Sequence, residues 1–157
     1  MQGGFERLVV PVAGSHNDDR VLDVLPDLLS REGAVVTFLY VVEVDQSMPL
    51  DAELPAEVAR GEQALGHAEA VAAKTLPARS TQIVTELLQA RAVGPAIVDE
   101  AIERDADAIV MTAVIRRQHG RPTLGDTPNH VLLHAPCEVI VIRTRPEAWD
   151  QTRREWA

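Results

Sequence analysis

The chain has 157 residues, 46% of them apolar and 25% charged, with 15 basic against 24 acidic side chains and a net charge of −9. That length suits one domain with a real core, and the negative balance excludes nucleic acid or anionic membrane as the main partner, since both demand a dominant basic face. A single cysteine, Cys137, rules out an intramolecular disulfide; with no run near the roughly 20 apolar residues of a membrane span and no signal-like N-terminus, a cytoplasmic protein without membrane insertion is expected.

Leu8-Val9-Val10-Pro11-Val12, closed by Gly14-Ser15, reads as a buried strand. Val21, Leu22, Val24, Leu25, Leu28 and Leu29 then fall on one face of a helix. Asn17, Asp18 and Asp19 stand at its start, where side-chain acceptors and negative charge serve the unpaired amides. Pro26 should kink this helix or remove its bond to Leu22, and Gly33 should stop it. Ala34 to Val42 is a second buried strand, and residues 43–53 form a polar loop around Pro49. Leu54, Val58, Leu65, Ala68 and Ala72 mark a long helix to about Leu76, weakened by Gly61 and Gly66 at roughly 1 kcal/mol each and ended by Pro77.

Thr81 to Leu88 is a strand whose Gln82 and Glu86 suit a sheet edge. Pro95 fits the first turn of a third helix, which buries Ile97, Val98, Ala101 and Ile102. Ala108 to Met111 is a fourth strand, Asp126 to His134 a short helix capped by Asp126, and Glu138 to Arg143 a fifth strand. Strict alternation of strand and helix predicts an α/β fold, with parallel strands in a doubly wound sheet and helices on both faces. Ligands on such sheets sit at the carboxyl ends of the strands where the winding reverses. That crevice would be lined by the loops after Val12 and after Met111.

The segment "DADAIVM", a loop, and then "HVLLHAPCEVIVIR" resemble the C-terminal half of universal stress proteins. "RLVVPVAGS", "FLYVVEV" and "GPAIVDEAIERDADAIVM" are similar to the same family in order and spacing. The resemblance implies a single five-stranded domain over residues 1–145, strand order 3-2-1-4-5, followed by a tail at 146–157. It also implies a homodimer acting in stress survival or regulation. Some members bind ATP and others do not.

ATP-binding members carry a glycine, two residues, a second glycine, nine residues and then Gly-Ser or Gly-Thr. This chain keeps the frame and changes the letters: Thr112 and Ile115 stand at the two glycines, and Gly125-Asp126 closes the frame. Ala13 stands where those members usually have an aspartate before Gly-Ser. Glycine lets amides approach phosphate oxygens without a β-carbon in the way, which Thr112 and β-branched Ile115 restrict. Asp126 puts a carboxylate where a neutral hydroxyl would donate. The resemblance thus implies a degenerate pocket of Pro11, Val12, Ala13 and Val41 with Thr112, Ile115, Arg116, Arg117, Gly125, Asp126 and Thr127. No cofactor is expected, and ATP is not expected to bind in the ordinary way.

Arg116, Arg117 and Arg121 cluster with His119 on an otherwise acidic chain. They are expected to form a solvated loop, the alternative being a side-chain anion site that replaces the lost amides. His130 and His134 stand four apart without a third metal ligand, so structural roles are expected. Cys137 is expected to be inert packing, and Ser15 has no evident histidine–carboxylate relay, so no catalysis is expected. Val139, Ile140, Val141 and Ile142 form a short apolar strand at a sheet edge, where a two-fold copy would cover them. Trp149 and Trp156 lie in the tail, which could dock as a short helix on the body or the partner subunit or form a frayed terminus. The expected function is that of a dimeric regulatory or interaction protein with an unknown regulatory partner or small anion. The alternative is a small-ligand sensor with an altered nucleotide or anion pocket, possibly regulating a membrane transporter.

Overall fold

The computed structural model describes residues 3–144, so the two tail tryptophans lie outside the described residues. In chain order the elements are β1 (Arg7–Pro11), α1 (Asn17–Leu28), β2 (Ala34–Glu43), α2 (Pro55–Thr75), β3 (Thr81–Ala90), α3 (Val93–Glu103), β4 (Ala108–Val114), β5 (Arg116–Gln118), β6 (Arg121–Thr123), α4 (Asp126–His134) and β7 (Glu138–Thr144). Five strands make one parallel sheet in the order β3-β2-β1-β4-β7. This is the expected 3-2-1-4-5 arrangement, β7 being its fifth strand. The antiparallel hairpin β5–β6 was not expected.

β1 is central because its whole run is apolar. Leu8, Val9 and Val10 are each at most 1% exposed, and each full burial is worth roughly 1.5–3 kcal/mol. Alternation along the strands divides the core into two layers. Leu8, Val10, Val36, Phe38 and Val110 pack with residues of α1 and α2; Val9, Leu39, Ile109 and Met111 pack with residues of α3 and α4.

α1 ends five residues before Gly33. The Leu29 amide still reaches the Leu25 carbonyl, at 3.3 Å, but Leu29 is extended and forms a bridge with Phe5. The chain therefore leaves the helix to continue the sheet side, and Pro26, two residues from the end, removes only a terminal bond. α2 begins with Pro55, whose missing N–H would be unpaired there in any case. Gly61 lets α2 approach the sheet: a β-carbon at this position would lie 2.6 Å from the Tyr40 ring and 2.7 Å from a Leu87 methyl. Among the described residues no helix is long and apolar enough to cross a membrane.

Candidate functional site: the cleft at the carboxyl ends of β1 and β4

The loop after β1 is held from both sides. The Val12 amide donates to the Leu39 carbonyl at 2.9 Å, and Gly14 then takes a φ of +77°, a conformation that favours glycine. This turn aims two successive amides at the Asp18 carboxylate. Ala13 N donates to Oδ1 at 3.0 Å and Gly14 N to Oδ2 at 2.8 Å. Asp18 was expected to serve the start of α1, but it turns back to the loop instead, and the side chain of His16 at the cap position makes no capping hydrogen bond to the helix. Asp18 is only 6% exposed. Burial pushes its pKa above the ordinary aspartate value, partly offset by the two amide bonds.

Across the cleft, β4 continues three residues beyond Met111. Thr112, Ala113 and Val114 pair with Ile142, Arg143 and Thr144 of β7. Ile115 follows, and the arginine segment then folds into the β5–β6 hairpin, an ordered form of the expected solvated loop in which Arg116, Arg117 and Arg121 are exposed. His119 and Gly120 make its turn with φ of +53° and +74°, the two positive values that a tight I′-type hairpin turn requires. Arg116 pairs with Thr123 and Gln118 with Arg121, so these four share one face and Arg117 shares the other with Pro122. The chain re-enters the cleft where Gly125 N donates to Thr123 Oγ1 at 3.1 Å. Gly125, at φ +92°, is the cap of α4, so Asp126 sits in the first helical turn rather than at the cap. There its charge still complements the helix dipole.

Between these walls lies a cavity of about 430 Å³. The sequence-assigned residues Pro11, Val12, Ala13, Thr112, Arg116, Gly125, Asp126 and Thr127 line it. Val41 does not; it packs against the layer beneath α3. Ile115 is half-buried and Arg117 exposed, both off the cavity wall. Sequence reasoning did not assign Asp18 to the cavity, nor Val93 and Ile97 from the start of α3. The i, i+4 spacing of Val93 and Ile97 was the available signal. A second cavity of about 600 Å³ opens toward α2 and shares Ala13, Ser15 and Asp18 with the first. Asp18 thus stands in the partition between them. The universal stress protein family model matches residues 4–143.

The chain belongs to the universal stress protein family. No curated protein matches it. It is similar to the universal stress protein UspA of Lactobacillus plantarum at 27% identity, over 90% of this chain and 99% of that one, with a TM-score of 0.65. It is similar in fold to the Archaeoglobus fulgidus universal stress protein solved in complex with dAMP, at 22% identity, over 87% and 97% of the two chains, TM-score 0.65. It is also similar in fold to an Arabidopsis thaliana family protein with AMP bound, at 14% identity, over 94% and 95%, TM-score 0.61.

The remaining polar candidates of this universal stress protein stand apart from the first cavity or serve the chain itself. Ser15 Oγ accepts the Asn17 amide at 3.3 Å. His67 Nε2 lies 2.7 Å from Asp19 Oδ1, joining α2 to α1 beside the second cavity. His130 and His134 stack with centroids 4.2 Å apart, and His134 Nδ1 lies 3.0 Å from the His130 carbonyl. Among the described residues no group of three or more side chains could hold a metal ion. Burial, reinforced by Asp107, pushes the Cys137 thiol up, away from the thiolate form that reacts.

Proposed function

We propose that this universal stress protein is a homodimeric regulatory or interaction protein without catalysis of its own, whose cleft does not hold Mg-ATP as the family's ATP-binding members do. The observation that carries this reading is the pairing of β4 with β7 through Thr112, Ala113 and Val114. The segment that would curl as a glycine loop is an extended strand with side chains, so it offers no amide nest for phosphate oxygens. Two carboxylates reinforce the reading. Asp126 lies in the first turn of α4, where a phosphate would sit, and Asp18 already takes the amides of Ala13 and Gly14.

The dimer reading rests on β7. It is an edge strand of the sheet, and Val139, Ile140, Val141 and Ile142 are each only half-buried. Just before it in the chain, Leu132 and Leu133 of α4 are 47% and 79% exposed. An apolar strand edge of this kind is covered in a stable protein, and a two-fold copy is the simplest cover.

A second reading is favoured by the cavity itself, which stays open at about 430 Å³ with Arg116 on its wall. It would suit a nucleoside or a mononucleotide, whose smaller charge one guanidinium can meet. Structures of relatives hold dAMP, cAMP and AMP. Calorimetric titration with ATP, AMP and cyclic dinucleotides separates the readings. Saturable ATP binding at or below about 10 µM overturns the first; AMP binding without ATP binding establishes the second. Restoring Ala13→Asp, Thr112→Gly, Ile115→Gly and Asp126→Ser together is expected to recover ATP binding if the loss is local to these positions.

A further inference from the structure

One face of β7 is thinly covered. Ile140, Ile142 and Thr144 alternate along the strand, so they share a face, and Ile140 and Ile142 pack toward the α1–α2 layer. On that side α2 lies over β2 and β3, while α1 lies against β4 and meets β7 only at its margin. All three residues stay half-buried. The facing flank of α1 is open as well. Asp19 turns to His67 of α2, and Val24, about 140° further round the helix, points away from α2 toward β7. Val24 is half-buried and stands outside the packed cluster. An apolar strip therefore runs between α1 and β7.

At the upper end of this strip one polar atom is unmet. Thr144 Oγ1 is buried and has no hydrogen-bond partner among the described residues. A buried hydroxyl in that state is costly, and folded chains rarely leave one. The sequence that follows offers a donor. Thr144-Arg145-Pro146-Glu147 has the form of a capping box, in which the threonine hydroxyl accepts the amide of the third helical residue. Thr144 is extended, as a cap residue is. Pro146 has no amide and is tolerated in a first helical turn, which leaves the Glu147 amide as the donor.

Beyond the box the pattern is that of an amphipathic helix. Trp149 and Trp156 stand seven apart on one stripe, and Asp150 and Arg154 have the i, i+4 order that supports a helix. A helix of about 12 residues is marginal by itself, so it needs an apolar surface to lie on. The strip between α1 and β7 fits by length. Running back from Thr144, Trp149 falls about 7.5 Å and Trp156 about 18 Å along such a helix. Ile140 lies about 13 Å back along β7, between the two rings. Charge agrees: the exposed Asp23 and Asp27 of α1 make no ion pair among the described residues, and Arg153 and Arg154 bring the opposite sign. We propose that residues 145–157 form a short helix, capped by Thr144, that docks on the α1 face of β7 in the same subunit with its two tryptophans on either side of Ile140. The helix covers a face of β7 whereas a two-fold copy takes its edge, so the inference is independent of the dimer reading.

Both tryptophans of the chain lie in this segment, so the tryptophan fluorescence of the full-length protein reports on it alone. Acrylamide quenching severalfold weaker than in the urea-unfolded chain, with emission shifted to the blue, is expected. Thr144→Val should raise quenching toward the unfolded value, and Thr144→Ser, which keeps the hydroxyl, should not. A hydroxyl that caps nothing predicts no such loss, because an apolar isostere in place of an unpaired group is neutral or stabilising. Ile140→Ala should free the indoles, while Leu133→Ala, at a position 79% exposed on α4, should leave them protected. Should Ile140→Ala fail to fold, Val24→Ser carries the same expectation. Quenching as strong as in urea means a frayed terminus. Quenching that rises with Leu133→Ala places the segment on α4, and quenching that rises as a dimer is diluted places it on the partner subunit. Each of these results, or indifference to Thr144→Val, overturns the inference.

Discussion

The Asp18 carboxylate accepts the Gly14 amide at 2.8 Å and the Ala13 amide at 3.0 Å, so the chain carries its own anion in the turn after β1. The resemblance to ATP-binding members of the family implies an aspartate where Ala13 stands. The fold supplies a carboxylate to the same loop from five residues downstream, on the first turn of α1. Removing it orphans two part-buried donors. Asp18→Ala is expected to cost about 1–3 kcal/mol in urea unfolding. A loss below a few tenths would mean that water replaces the carboxylate without penalty.

The pH dependence of Asp18 follows from its raised pKa, whose largest cause is desolvation. A carboxyl that binds its proton more tightly folded than unfolded adds stability at low pH and loses it as pH rises. The window opens near the ordinary value of 3.8 and closes above the raised folded value. Wild type should therefore gain stability relative to Asp18→Asn as pH falls through that window, and the difference should be flat at neutral pH. Paired urea titrations across this range check it; a difference that moves the opposite way means that the amide bonds outweigh burial.

Gly61→Ala separates local from tertiary preference. On helix propensity alone the change favours α2 by about 1 kcal/mol. The added β-carbon meets the Tyr40 ring at 2.6 Å, and a ring edge cannot rotate away as the Leu87 methyl can. Overpacking of this kind costs about 1–3 kcal/mol, so the protein should be destabilised overall. A rise in melting temperature would show that α2 can lift from the sheet.

The sheet was legible because β1, β2, β4 and β7 each hold a near-continuous apolar run, the pattern of strands in a covered parallel sheet. The hairpin was not. Arg116-Arg117-Gln118 and Arg121-Pro122-Thr123 bury too little to show a period, and His119-Gly120 is a turn signal that means little without flanking apolar residues. Asp18 was misread for a different reason. An acidic residue at a helix start is normally assigned to that helix, and its partners become visible only when the turn at Gly14 folds back over it. Likewise, Glu100 and Arg104 show the i, i+4 spacing of a surface ion pair. Nothing in that spacing says that Glu100 is buried or that Glu86 arrives from β3.

The turn of the hairpin offers a local test. Both central residues have positive φ, which His119 tolerates less well than asparagine. His119→Asn should tighten the turn, slowing amide exchange across the Arg116–Thr123 and Gln118–Arg121 pairs severalfold while leaving global stability within about 0.5 kcal/mol. Unchanged exchange would indicate that contacts of the hairpin with the body, rather than its turn, set its opening.

The edge strand β7 is the place to test assembly. Ile142 is half-buried, pairs with Thr112 of β4 and packs against the α1–α2 layer with Ile140. A lysine there can keep its stem on that layer and extend its ammonium to water in a monomer. Across a two-fold strand pairing the same ammonium would be buried in an apolar seam without a partner, which is destabilising. Ile142→Lys is therefore expected to convert a dimer to a monomer in sedimentation at micromolar concentration. Monomer stability should fall by no more than about 1–2 kcal/mol, because the lost burial is partial. A wild type that already sediments as a monomer overturns the dimer reading, and a variant that remains dimeric places the contact elsewhere than β7.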